Sequence, residues 1–124
     1  MKELTTADAP DSIGPYSQGI ASGDKLYVSG QGPVDPETGE VIDGTPAEQT
    51  KRTLENVEAI LEAGGSSLAD VVKATVFLKD MRYYDEVNEV YGEYMSAPYP
   101  ARSAVEVVKL PVDIDVEIEV VAER

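Results

Sequence analysis

A chain of 124 residues with 42% hydrophobic content can bury one core and is too short for two, so residues 1–124 read as a single domain. It carries 24 Asp plus Glu against 10 Lys plus Arg, a formal net charge of -14, and neither Cys nor His. That composition excludes disulfides, thiolate nucleophiles, Cys/His zinc clusters and imidazole general bases, and its charge repels nucleic acid.

The acidic residues spread along the whole sequence instead of forming a tail, which makes them a surface property. Such a density suits a protein working at high salt, where screening relieves repulsion among carboxylates; the other reading is an ordinary acidic protein of the cytosol. No apolar stretch spans a bilayer, and Met1–Thr6 lacks the apolar centre of a secretory signal. The expectation is a soluble, cytoplasmic protein with no membrane partner.

Taken in chain order, Tyr16–Ala21 reads as a first strand, Ser22-Gly23-Asp24 as a turn, and Leu26–Gln31 as an alternating second strand that closes a hairpin. Asp35–Gly39 is a further turn, with Val41 and Ile42 as a short return strand. Thr45-Pro46-Ala47-Glu48 carries a capping box with Pro at the first helical position. The helix it starts should run to about Ala63, bury Leu54, Val57 and Leu61, and end at Gly64-Gly65.

Val71–Leu78 then reads as a buried strand, and a second helix is predicted from Arg82 to Met95, capped by Asp80, with Tyr84, Val87 and Tyr91 on one stripe. Asn88 lies on that stripe, where an inward amide either ties down backbone or touches a ligand. The last strands are Arg102–Val108 and Ile114–Ala122. This order implies an α+β domain, one mixed sheet with both helices on one face. The other face, with Tyr27, Gln31 and Phe77 assigned to it, calls for burial against copies of the chain.

Asp115, Glu117 and Glu119 alternate along the last strand, about 6.6 Å apart. A straight strand spreads carboxylates where a metal cage gathers them, so a solvated acidic face is the reading and no metal is assigned. Arg102 is a rigid, permanently charged fork suited to a carboxylate, in a chain poor in cations. If the last two strands form a hairpin bending between Pro111 and Val112, Glu106 lies opposite Glu117, and Arg102 stands about 13 Å along the strand from Glu117. Arg102 then either grips a small anion, in a cleft of its own chain or at an interface with another, or neutralises nearby carboxylates. The glycines of Ser29-Gly30-Gln31-Gly32 and Gly14–Gly19 allow close backbone approach but lack the context of a phosphate loop.

Ile13–Gly19, Val28–Gln31, Thr75–Asp80, Val87-Asn88 with Tyr91, and Pro100–Val107 together resemble the RidA-type reactive intermediate deaminases, in order and over almost the whole chain. The resemblance implies a chorismate-mutase-like mixed sheet with two helices on one face, assembled as a homotrimer with clefts between subunits. It further implies hydrolysis of 2-imino acids such as 2-iminopropanoate and 2-iminobutanoate, and of their enamine tautomers, to 2-oxo acids and ammonia, without metal or organic cofactor.

By this resemblance Arg102 matches the residue that holds the substrate carboxylate and Glu117 the acid beside the attacking water, while Tyr16, Ser29, Gly30, Asn88 and Ala104 match pocket positions. Ala104 stands where many members carry Cys, and Met95–Pro100 is shorter than the usual loop, which bears on the pocket rim. A non-catalytic carboxylate-binding or protein-protective member of the same fold is the alternative.

Overall fold

The structure is a computed structural model describing residues 1–124. Its elements are β1 (Lys2–Leu4), β2 (Gly19–Ser22), β3 (Lys25–Gln31), α1 (Pro46–Ala63), β4 (Val71–Leu78), α2 (Tyr84–Tyr94), β5 (Ala101–Glu106) and β6 (Val116–Glu123). Single 3-10 turns, Leu68–Asp70 and Met81–Tyr83, lead into β4 and α2. The six strands form one mixed sheet in the order β1-β2-β3-β6-β4-β5, antiparallel except for the β4–β5 pair.

α1 begins where its capping box places it. The Thr45 hydroxyl accepts from the Glu48 amide at 3.2 Å while the Glu48 carboxylate accepts from the Thr45 amide at 3.0 Å, satisfying two otherwise orphaned donors. Gly64 closes the helix at a spot with no room for a side chain, since a Cβ there would stand 2.7 Å from Leu26 Cδ1. Leu54, Val57, Ile60 and Leu61 from α1 and Val87 and Tyr91 from α2 pack on Leu26, Val28, Val76, Ile118 and Val120 of the sheet. The two helices therefore cover one face, as the element order implied.

On β6 the alternation is clean: Val116, Ile118, Val120 and Ala122 are buried, and Glu117, Glu119 and Val121 face the uncovered side. Tyr27 and Val105, 48% and 40% exposed, stand on that side too, with the half-buried Phe77. Gln31 does not. The β3–β6 register shifts between Val28 and Gln31, and this bulge turns the Gln31 side chain to the buried face, where its amide donates to the Ser29 carbonyl.

The expected hairpin between the last two strands is not formed. β4 lies between β5 and β6, pairing Ala74 with Arg102 on one side and with Val120 on the other, and Phe77 with Val105 and Glu117. Glu106 therefore does not face Glu117. The physical reason is a β4–α2–β5 crossover, whose helix carries the chain back so that β5 adds parallel to β4 at the sheet edge. Smaller differences follow the backbone: Tyr16 precedes β2 in a loop, and the Val41 return strand is reduced to one bridge with Val34. No helix is long and apolar enough to cross a membrane.

Candidate functional site

Paired residues on neighbouring strands point the same way, so register assigns each site residue to a face. Arg102 and Ala104 pair with Ala74 and Val76, which are buried beneath the helices, and so lie on the helix-covered face. Glu117 pairs with Phe77 and lies on the uncovered face. Within one chain the positions suggested by the sequence thus fall into two groups on opposite sides of the sheet.

The first group surrounds a cavity of about 510 Å³ whose lining includes Tyr16, Gln18, Gly30, Val34, Ile114 and Glu117. Gly30 is needed here for space: a Cβ would stand 2.5 Å from Glu117 Oε2 and 2.9 Å from its Cδ. The carboxylate lies against bare backbone, where burial first and the nearby Glu119 carboxylate second push its pKa above the ordinary value. Ser29 does not line the cavity. Its hydroxyl donates to the Ser17 carbonyl at 2.6 Å and its amide to the Gln18 carbonyl at 2.9 Å, so it ties the Tyr16 loop to β3.

Three buried amides that sequence reasoning did not single out position the cavity wall. Gln18 donates to the carbonyls of Thr6, Ala9 and Pro10 and accepts from the Thr6 amide. Asn56 on α1 donates to the carbonyls of Gly32 and Val34, at 3.1 and 2.9 Å. Gln49, two turns earlier on the same helix, donates to the Asp115 carboxylate and accepts from the Asp115 amide, fixing the entry to β6 two residues before Glu117. The available signal was the pair of amides at i and i+7 on the helix face that also carries Leu54, Val57, Ile60 and Leu61, since a buried amide must find partners.

The second group sits where β5 passes under α2. The Arg102 guanidinium is half-buried, donates from Nη2 to the Tyr84 hydroxyl at 3.0 Å, and lies 4.8 Å from the centre of the Tyr91 ring. It forms none of the chain's ion pairs, which involve Lys25, Lys79 and Arg82. Neutralising neighbouring carboxylates is therefore not its role within the chain. Asn88 is half-buried on α2; the side-chain hydrogen bonds of that helix are made by Tyr84 and Glu86, and none by Asn88. Ala104 packs at the margin of the core. No three Asp or Glu side chains gather into a cluster able to hold a metal ion.

Because the folded state raises the Glu117 pKa, it binds this proton more tightly than the unfolded chain. The stability contributed by the group is full at low pH and is lost as pH rises through the raised value. Glu117→Gln, uncharged at every pH, should raise Tm at about pH 7 and leave it nearly unchanged at about pH 4. Thermal melts of both proteins at the two pH values check this; a Tm difference that does not change with pH would contradict it.

The sequence matches the Endoribonuclease L-PSP family over residues 6–124. It is 54% identical over 123 residues to a RutC family protein of Pyrococcus horikoshii, covering 98% of each chain. It is 47% identical over 126 residues to the 2-iminobutanoate/2-iminopropanoate deaminase of Salmonella typhimurium, covering 99% of this chain and 98% of that one. The crystal structure of Escherichia coli TdcF with bound serine superposes with a TM-score of 0.94 at 43% identity, covering 100% of this chain and 99% of that one. With sheet, helices and motifs all matching along the full chain, the protein belongs to the RidA-type, or endoribonuclease L-PSP, family.

Proposed function

We propose that this protein hydrolyses small 2-imino acids and their enamine tautomers to 2-oxo acids and ammonia, in a site completed between two copies of the chain. The reading rests above all on one observation: a partly buried carboxylate and a guanidinium outside every ion pair occupy opposite faces of one sheet, each still partly open to solvent. The deaminase name of a relative 47% identical to this chain supports the reaction. The net charge of -14 opposes phosphate-backbone binding and favours a small substrate over RNA.

Arg102 grips the substrate carboxylate through paired charge-assisted hydrogen bonds, which fixes the electrophilic C2 in place and angle. Asn88, unengaged within its own chain, has amide donors free for the same ligand. Glu117 of the neighbouring copy orients a water and accepts its proton as the oxygen adds to C2 and the imine nitrogen takes up a proton from solvent. Glu117 then returns its proton to the nitrogen, and ammonia departs as the C2 hydroxyl gives up its own proton to the freed Glu117 carboxylate and closes to a carbonyl, Glu117 releasing that proton to solvent. The raised pKa of Glu117 moves this base toward the operating pH, which strengthens proton transfer. Imines hydrolyse readily in water, so orientation plus one base supplies the acceleration required.

The exposed Tyr27 and Val105 and the half-buried Phe77 on the uncovered face fit assembly of copies through that face, and we assign a homotrimer. The direct test generates 2-iminopropanoate or 2-iminobutanoate in place with an amino-acid oxidase and follows ammonia release. Faster release with this protein than without it supports hydrolysis. Unchanged release, with 2-oxo acid still bound, would replace hydrolysis by carboxylate sensing.

A further inference from the structure

Arg102 is the one cation in the candidate site, yet its immediate surroundings are neutral. Tyr84 accepts a hydrogen bond from Nη2 at 3.0 Å, the Tyr84 ring centre lies 5.7 Å from the guanidinium carbon, and the Tyr91 ring centre lies 4.8 Å from it. No acid on the flanking elements forms an ion pair with it, and three of them are engaged elsewhere. Glu106, on the same face of β5, accepts from the Met81 amide at 2.7 Å. Glu86 on α2 accepts from the Ala47 amide at 2.9 Å, and Asp80 is paired with Arg82 at 2.7 Å. In a chain with 24 carboxylates, none lies within ion-pair distance of this guanidinium.

We propose that Tyr84 and Tyr91 form a neutral two-ring clamp that sets the plane of the Arg102 guanidinium while leaving its charge uncompensated for a carboxylate ligand. The inference rests on the reading that Arg102 binds the substrate carboxylate. A carboxylate partner would hold the guanidinium equally well but compete with the ligand for the same fork; an aromatic face holds a cation through its quadrupole and leaves the edge donors free. The two tyrosines act differently. Tyr84 acts through its hydroxyl, which takes one of the five N–H donors and fixes rotation of the plane. Tyr91 acts through its ring alone: its hydroxyl is buried with no hydrogen-bond partner, so the polar atom contributes nothing to the clamp.

This division gives a pattern that packing alone would not produce. Tyr84→Phe, which keeps an exposed ring and the fold, should raise both the KM for 2-iminobutanoate and the Kd for 2-oxobutanoate by roughly threefold to tenfold, with kcat changed less than about twofold. Tyr91→Leu should weaken binding to a similar extent, and Tyr91→Phe should restore what Leu loses. Kd is read by calorimetric titration of the assembled protein, with Arg102→Ala as reference and Tm recorded for every variant.

If Arg102→Ala loses binding while Tyr84→Phe and Tyr91→Leu bind as tightly as wild type, the clamp is wrong and the carboxylate role of Arg102 stands. If Arg102→Ala itself binds normally, the carboxylate role fails and the clamp falls with it. Should Tyr91→Leu fail to fold, the Tyr84→Phe titration still decides, because Tyr84 lies at the surface.

Discussion

Replacing Arg102 with Ala should lower kcat/KM for 2-iminobutanoate by two to three orders of magnitude while leaving the fold intact. The side chain stands on an edge strand, half-buried and outside every ion pair, so its loss opens no hole in the core and strands no charge within the chain. What is lost is the grip on the ligand. Truncating one side of a desolvated, hydrogen-bonded charge pair costs roughly 3 to 4 kcal/mol, and each decade of rate corresponds to about 1.36 kcal/mol. Arg102→Lys should recover only a small part, because an ammonium restores the charge but neither the planar fork nor the broad contact with the Tyr91 ring. The measurement is steady-state ammonia release over a range of substrate concentrations. A kcat/KM for Arg102→Ala within threefold of wild type would contradict the role assigned to it.

The second large effect is expected from the smallest side chain. Gly30→Ala adds one methyl group at a position whose φ is not left-handed, so the backbone accepts it. The added carbon would stand 2.5 Å from Glu117 Oε2, a distance that real contacts do not reach. Since the obstructed group is the end of a flexible side chain, the carboxylate gives way and the protein stays folded, with Tm lowered by a few degrees at most. A shift of about 1 Å in a catalytic group costs on the order of a hundredfold in rate. The prediction is therefore a roughly hundredfold fall in kcat with a much smaller change in Kd for 2-oxobutanoate, since the added methyl displaces the Glu117 carboxylate and leaves the Arg102 grip, supplied by the other copy, in place. A wild-type kcat in Gly30→Ala would mean that the position of Glu117 beside Gly30 has no part in the chemistry.

The local structure was legible wherever a residue type satisfies a specific physical need. Thr45, Pro46 and Glu48 fix the start of α1 because helical N–H groups there need acceptors, and the alternation from Val116 to Ala122 fixes which carboxylates on β6 face outward. What was not legible is who neighbours whom. β5 and β6 follow one another in sequence and were expected to pair, but β4 takes the place between them, because a crossover through α2 lets β5 join β4 in parallel. Residue spacing carries no record of that choice. The Gln31 bulge was invisible for a related reason, since one extra residue flips a side chain to the other face without altering composition. β1 is only Lys2–Leu4, too short for a periodic signal.

For the site, the same limit separated the identity of residues from their arrangement. Tyr16, Gly30 and Glu117 do come together at one cavity, whereas Ser29 spends its hydroxyl on the Ser17 carbonyl and stays outside it. Arg102, Ala104 and Asn88 belong to the helix-covered side, a separation that follows only from the β4 register. Asn88, which the sequence left between tying down backbone and touching a ligand, makes no backbone bond within the chain, and so its amide is unengaged there.

That separation makes the central claim testable without a ligand-bound structure. Arg102→Ala and Glu117→Gln, each prepared alone, should both be nearly inactive. Unfolded together at equal amounts and refolded into mixed assemblies, they should regain about a quarter of wild-type turnover, because half the chains keep the arginine and half of their neighbours keep the glutamate. Recovery to that level places the two residues of one site on different chains. If the mixed assemblies stay as inactive as their parents, the site is not shared between copies and the proposed division of labour between Arg102 and Glu117 is wrong.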